Sequence, residues 1–163
     1  MQINLGEITY REVKIEDIEE LVNKRIIYLV EMQGSRNEAY IKNLRSDLNE
    51  FFISNYQNGT FVGMVAHIKG KVLAYGAMLI KNVPGDMNST YYKEADIFNM
   101  YTIPEVRKMG ISKMILQKLI EKAKEINIAK LALHTSKEGE RLYRSFGFSE
   151  PVFPYLELVI DKE

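Results

Sequence analysis

The sequence predicts a mixed α/β domain with the element order β-α-α-β-β-β-α-β-α-β, and three observations carry that prediction. Two long stretches, 16–33 and 37–56, repeat apolar residues at helical spacing. Two β-rich runs flank Lys69-Gly70-Lys71, a hairpin signal. A third β-rich run, 94–103, leads through a turn and an amphipathic helix to a short apolar run at 129–134. That connection predicts a right-handed crossover between parallel strands, so the sheet should mix parallel and antiparallel neighbours.

The elements follow in order. Ile8 to Lys14 reads as a first strand. The helix at 16–33 has Ile18, Leu21, Val22, Ile26, Leu29 and Val30 on its apolar side and acidic residues in its first turn. The helix at 37–56 sets Ile41, Leu44, Leu48, Phe51 and Phe52 on one side, and Asn58-Gly59 stops it. Phe61–Ile68 and Val72–Lys81 are the hairpin strands, and 82–92 is one long polar loop. Glu94–Ile103 is the next strand; Pro104 cannot donate to a ladder, so the strand ends there. After Gly110 a helix carries Ile111, Ile115 and Leu119 with Leu116, Ile120 and Ala123 beside them. Ala129–His134 suits a buried strand, Glu138–Phe146 is a short helix closed by Gly147, and Tyr155–Ile160 is a last strand.

At 163 residues, 46% of them hydrophobic, the chain fits one domain spanning 1–163. Lys plus Arg number 22, as do Asp plus Glu, so the basic excess of a nucleic-acid binder is missing. With no Cys there are no disulfides, thiolate metal sites or Cys nucleophile. Two distant His residues offer no metal centre either. Met1 to Gly6 lacks the basic and apolar regions of a signal peptide, and no apolar stretch approaches the roughly 20 residues of a membrane span. A cytoplasmic protein is expected.

The most informative run is 100–113, Met-Tyr-Thr-Ile-Pro-Glu-Val-Arg-Lys-Met-Gly-Ile-Ser-Lys. It joins a strand, through a turn, to a helix start. Unpaired backbone N–H groups and the positive end of the helix dipole converge there, which suits a diphosphate, and Lys108 and Lys113 can add charge. Neither G-x-x-x-x-G-K-[ST] nor G-x-G-x-x-G is present, so a nucleotide-binding domain is a weak reading.

Arg107-Lys108-Met109-Gly110-Ile111-Ser112 resembles the (Q/R)-x-x-G-x-(G/A) pyrophosphate loop of the GNAT superfamily of N-acetyltransferases. Leu142-Tyr143-Arg144-Ser145-Phe146-Gly147-Phe148 is similar to that superfamily's L-Y-x-x-x-G-F signature. Ser112 stands where Gly or Ala is usual, and Ser136 where many members carry an Asn that orients the cofactor. The resemblance implies a GNAT-like acyl-CoA N-acyltransferase fold with splayed central strands, and acetyl-CoA as co-substrate without a metal. It further implies transfer of acetyl to a primary amine by direct attack in a ternary complex. The competing reading is a catalytically silent acyl-CoA-binding regulatory module on the same fold. The acceptor is a small-molecule or peptide amine with no nucleic acid or membrane involved, and a homodimer is open.

By the same resemblance the cofactor-binding residues are Met100, Tyr101 and Thr102, whose backbone would pair with the pantetheine arm. The set continues with Arg107, Lys108, Met109, Gly110, Ile111, Ser112 and Lys113 around the diphosphate, and ends with Ser136. Tyr143 is the candidate acid for the departing thiolate; the bland reading is a packing aromatic. Asp96 sits where histone acetyltransferases of the superfamily carry a catalytic Glu, and reads equally as a solvated carboxylate. Asn99, Tyr91 and Tyr92 are candidate acceptor-binding residues, with surface or structural roles as the alternative. His134 reads more as a structural or cofactor-adjacent residue than as a base, and His67 carries no functional weight.

Overall fold

A computed structural model of the chain describes residues 4–87 and 90–160, and for Tyr91 the backbone alone. The strands and α-helices are β1 (Thr9–Glu12), α1 (Ile18–Gln33), α2 (Glu38–Gln57), β2 (Phe61–Ile68), β3 (Lys71–Pro84), β4 (Tyr91–Thr102), α3 (Ile111–Glu125), β5 (Ile128–Leu133) and α4 (Lys137–Ser145). The sheet runs β1-β2-β3-β4-β5; the first three pairings are antiparallel and β4–β5 is parallel. The mixed α/β fold is therefore as expected, and α3 makes the crossover.

Local chemistry sets the element ends. The Asn37 side chain accepts from the Tyr40 N–H at 2.9 Å and starts α2. Gly59 (φ 71°) turns the chain out of α2 into β2. Arg11 grips Asp17 through two hydrogen bonds of 2.6 and 2.9 Å, tying β1 to the turn before α1.

Both faces of the sheet are covered. Side chains at alternate positions of β3 point to opposite faces. A Cβ on Gly76 would lie 2.7 Å from Ile115 and 2.9 Å from Leu119, so that face carries α3. Asn99, paired with Ala77, meets Arg25 of α1, and Phe98 stacks on Phe52 of α2, so the other face carries the first two helices. Val72 to Met78 are all buried, as a central strand requires.

Three expectations need correction. The strand at 129–134 is not a buried one: β5 lies at the margin of the sheet and none of its residues is buried. Tyr155–Ile160 forms no strand: these residues are exposed and without regular structure, because the period-2 pattern specifies faces but cannot supply a sheet edge to pair with. The 82–92 loop is shorter than expected, since Asn82, Val83 and Pro84 pair with Lys93, Tyr92 and Tyr91 and lengthen the β3–β4 hairpin. Pro84 ends its strand, where a missing N–H costs no interior ladder bond. Residues 88 and 89 of that expected loop lie outside the described residues. No helix of the described chain is long and apolar enough to cross a membrane.

Candidate active site

A groove of about 520 Å³ opens where β4 and β5 part. The parallel ladder between them ends at Ile97–Leu133, although β4 continues to Thr102. On its other side β4 stays paired with β3, but Ile97 opposes Met78 and Asn99 opposes Ala77. Phe98 is thus an extra residue, a β-bulge that bends the strand at the point where β5 leaves it.

The bulge decides which backbone groups are free. The Ile103 N–H donates to the Leu73 carbonyl, and antiparallel hydrogen-bonded pairs alternate, so Tyr101 and Asn99 also direct their polar backbone groups at β3. Met100 and Thr102 direct theirs the other way, into the groove. One of these, the Thr102 carbonyl, accepts from Arg107 Nε at 2.9 Å. Of the three backbone positions expected to bind, Tyr101 is therefore committed to the sheet, and its side chain lines the groove.

The floor continues into the loop before α3. Pro104–Val106 forms a single 3-10 turn; Lys108 (φ 64°) and Gly110 (φ 82°) then take left-handed conformations, and Gly110 caps α3. An added Cβ at Gly110 would meet nothing within 4 Å, so the space beside it is open. The first turn of α3 holds Lys113 and no acidic residue, leaving the positive helix end uncompensated. Ser112 Oγ bonds Thr102 Oγ1 at 2.8 Å, which ties the helix start to the end of β4. The left-handed loop, the bare helix end and the open groups of β4 together fit an extended chain carrying a diphosphate.

The far wall comes from α4. The Ser136 hydroxyl accepts from the Gly139 N–H at 3.2 Å, so the residue expected at the cofactor serves as the N-cap of α4 and also lines the groove. At Gly139 a Cβ would lie 2.9 Å from Thr135 Oγ1 and 3.3 Å from the Tyr143 ring, so a side chain there would displace Thr135 and press on that ring. Tyr143 is buried yet lines the groove. Burial, with the Tyr28 phenol adding to it, pushes its phenol pKa up to about 12.

The near wall comes from α1, and none of its residues was singled out from sequence. Tyr28 meets Tyr101 edge-on at 6.3 Å between ring centroids. Glu31 binds Arg107 at 2.9 Å, which latches the end of α1 to the loop before α3. Arg25 donates to Asn99 Oδ1 and lies over Phe98. Guanidinium can only donate, so Asn99 must present its oxygen to Arg25. Its Nδ2, like Arg25 Nε, is then a buried donor with no partner among the described residues. A usable signal was there: Tyr28, Glu31 and Met32 sit at i, i+3 and i+4 beside the apolar stripe.

Other expected residues lie elsewhere. Both oxygens of Asp96 accept from Lys81 Nζ, at 3.1 and 2.9 Å, and the residue is not part of the groove lining. Tyr92 donates to Asp86 at 2.8 Å, away from the groove, and the side chain of Tyr91 lies outside the described residues. Met109 is exposed on the loop, while His134 lines the groove with Tyr155 edge-on at 6.3 Å. His67 bonds Thr9 across β1–β2. Among the described residues no cluster of three or more His, Asp or Glu could hold a metal.

A model of the acetyltransferase (GNAT) family matches residues 18–148. A predicted acetyltransferase from Clostridium acetobutylicum, crystallised with acetyl-CoA, shares 29% identity over 93% of this chain and 96% of its own, with a TM-score of 0.82. A GCN5-related N-acetyltransferase from Ralstonia eutropha superposes with a TM-score of 0.77 at 21% identity, over 93% and 98% of the two chains. Glucosamine-6-phosphate N-acetyltransferase from Arabidopsis thaliana does so at 0.66 and 19%, over 93% and 97%. No curated protein sequence is a significant match.

Proposed function

This chain belongs to the acetyltransferase (GNAT) family, and on that premise we propose that it moves acetyl from acetyl-CoA to a primary amine by direct attack, with both molecules in the groove together. The observation that carries this reading is the parting of β4 from β5 after Ile97, beside a helix start with no acidic residue. Acetyl-CoA supplies an activated acyl thioester.

The backbone amides between Lys108 and Lys113, with both lysine side chains, hold the diphosphate. The groove-facing backbone of Met100 and the N–H of Thr102 take the pantetheine arm as an added strand, and the Met100 N–H serves the thioester oxygen. Ser136 borders the cofactor while capping α4. Asn99 Nδ2, left without an acceptor by its bond to Arg25, is the donor that orients the incoming molecule. As the amine nitrogen bonds to the acyl carbon, the C–S bond breaks and Tyr143 gives its proton to sulfur. The ammonium proton leaves through water to Asp96, which must first loosen its hold on Lys81, so its share of the rate is the smaller one.

The test is free-thiol release with acetyl-CoA and a panel of amines. Tyr143→Phe should lower kcat about 100-fold with little change in acetyl-CoA affinity, and Asp96→Asn should cost less. Tight acetyl-CoA binding with no turnover on any amine would make the protein an acyl-CoA-binding module instead. An equal loss of affinity and turnover in Tyr143→Phe would make that residue structural.

A further inference from the structure

One cation beside the groove has no counterion. Arg25, in the middle of α1, is half-buried, with its guanidinium over the Phe98 ring at 5.8 Å from the centroid and one hydrogen bond, from Nη1 to Asn99 Oδ1. Other basic residues nearby are matched: Lys24 pairs with Glu20, and Arg107 with Glu31. For Arg25 no Asp or Glu lies within ion-pair distance among the described residues. The Tyr75 phenol is no substitute. Burial holds it above its usual pKa range, against the pull of the Arg25 charge, so it stays neutral.

A guanidinium taken partly out of water beside a neutral amide alone is costly, and proteins pair such charges. The bond to Asn99 also fixes which edge is left. With Nη1 used, Nε and Nη2 remain, and their N–H groups form the side-on fork whose spacing matches the two oxygens of a carboxylate. Nε is buried and without a partner, while Nη2 is unpaired but not buried, so the fork has a covered end and an open one. Beside it Asn99, 3% exposed, lines the groove with Nδ2 as a second buried donor lacking an acceptor. Buried donors are normally satisfied, so orphans at a groove mark where a ligand oxygen binds.

Nε, Nη2 and Nδ2 thus call for a group with at least two acceptor oxygens and a single negative charge. A carboxylate is that group; a phosphate monoester brings more charge than one guanidinium offsets. Met100, whose N–H is proposed to serve the thioester, directly follows Asn99, so this anchor lies at the reacting end of the groove.

We propose that the amine receiving the acetyl group carries a carboxylate, held by Arg25 and Asn99. This rests on the acetyl transfer proposed above and names its substrate class: an amino acid or a small compound of that kind.

The test reads thiol release with the common α-amino acids and with ω-amino acids of increasing length. Each is compared with its amide and its decarboxylated amine, and phosphoethanolamine is included. At least one amino acid should exceed its amide in kcat/KM by about tenfold or more. Arg25→Gln removes charge and fork, and Asn99→Asp supplies the missing carboxylate from within the protein. Both should bring the acid-to-amide ratio down toward one, a readout that loss of folded enzyme does not move. Thermal melts of the coenzyme A complex with the same compounds read binding without turnover. An amino acid that raises the Tm of wild type but not of Arg25→Gln, with no thiol release from any amine, keeps the carboxylate site and overturns acetyl transfer. Three results overturn the site itself. They are an uncharged amine or phosphoethanolamine as the best substrate, an acid-to-amide ratio that survives Arg25→Gln, and no amino acid that either binds or reacts.

Discussion

At Tyr143 burial lifts the phenol pKa to about 12, and the direction matters for its proposed job. A general acid works in its protonated form, so a raised pKa extends the working range upward. The log kcat profile should therefore show no alkaline fall below about pH 10. A fall between about pH 8 and 10 that disappears in Tyr143→Phe would mean that the phenol titrates far lower in the working enzyme, and burial would not be setting its pKa. Tyr143 was legible in the sequence because its neighbours form a recognisable motif. Arg25, Tyr28 and Glu31 were not. Helical periodicity identifies the side of α1 that packs on the sheet, while these three lie beside that stripe and gain meaning only from Asn99, Tyr101 and Arg107, each more than 70 residues away.

At the scale of elements, the loop before α3 depends on Gly110 for two separable reasons. Its φ of 82° strains any side chain, and the space beside it is open. Gly110→Ala should cost about 1 kcal/mol and a few degrees of Tm, with acetyl-CoA affinity changed only a few-fold. Gly110→Asp adds a negative charge where the diphosphate is proposed to lie, and should weaken acetyl-CoA binding at least tenfold beyond the alanine variant by calorimetry. Equal losses in the two variants would assign the effect to loop distortion and remove the diphosphate from this place. The helices and the β2–β3 hairpin could be read from sequence because their signals are local: apolar spacing, Asn caps and positive-φ glycines. The length of β4, its bulge at Phe98 and the unpaired state of 155–160 could not, since each depends on what a distant segment offers as a partner.

Across the whole molecule, the layer that holds the fold together is also the layer that shapes the site. Gly76 in β3 sits beneath Met100, Ile115 and Leu119, where β3, β4 and α3 meet. Met100 is also one of the two residues whose backbone faces the groove. Gly63 in β2 is as crowded, with Val13 Cγ2 2.6 Å from the place a Cβ would take, but it packs the residue just past β1 against β2, away from the groove. Overpacking either position should lower Tm by several degrees. Only Gly76→Ala should also weaken acetyl-CoA binding, because relieving its clash moves Met100 and with it the strand that lines the groove. Thermal melts and calorimetry on the two alanine variants separate the effects. Matched losses of affinity in both would show that binding follows global stability, and affinity intact in Gly76→Ala would take Met100 out of the proposed contact with the pantetheine arm.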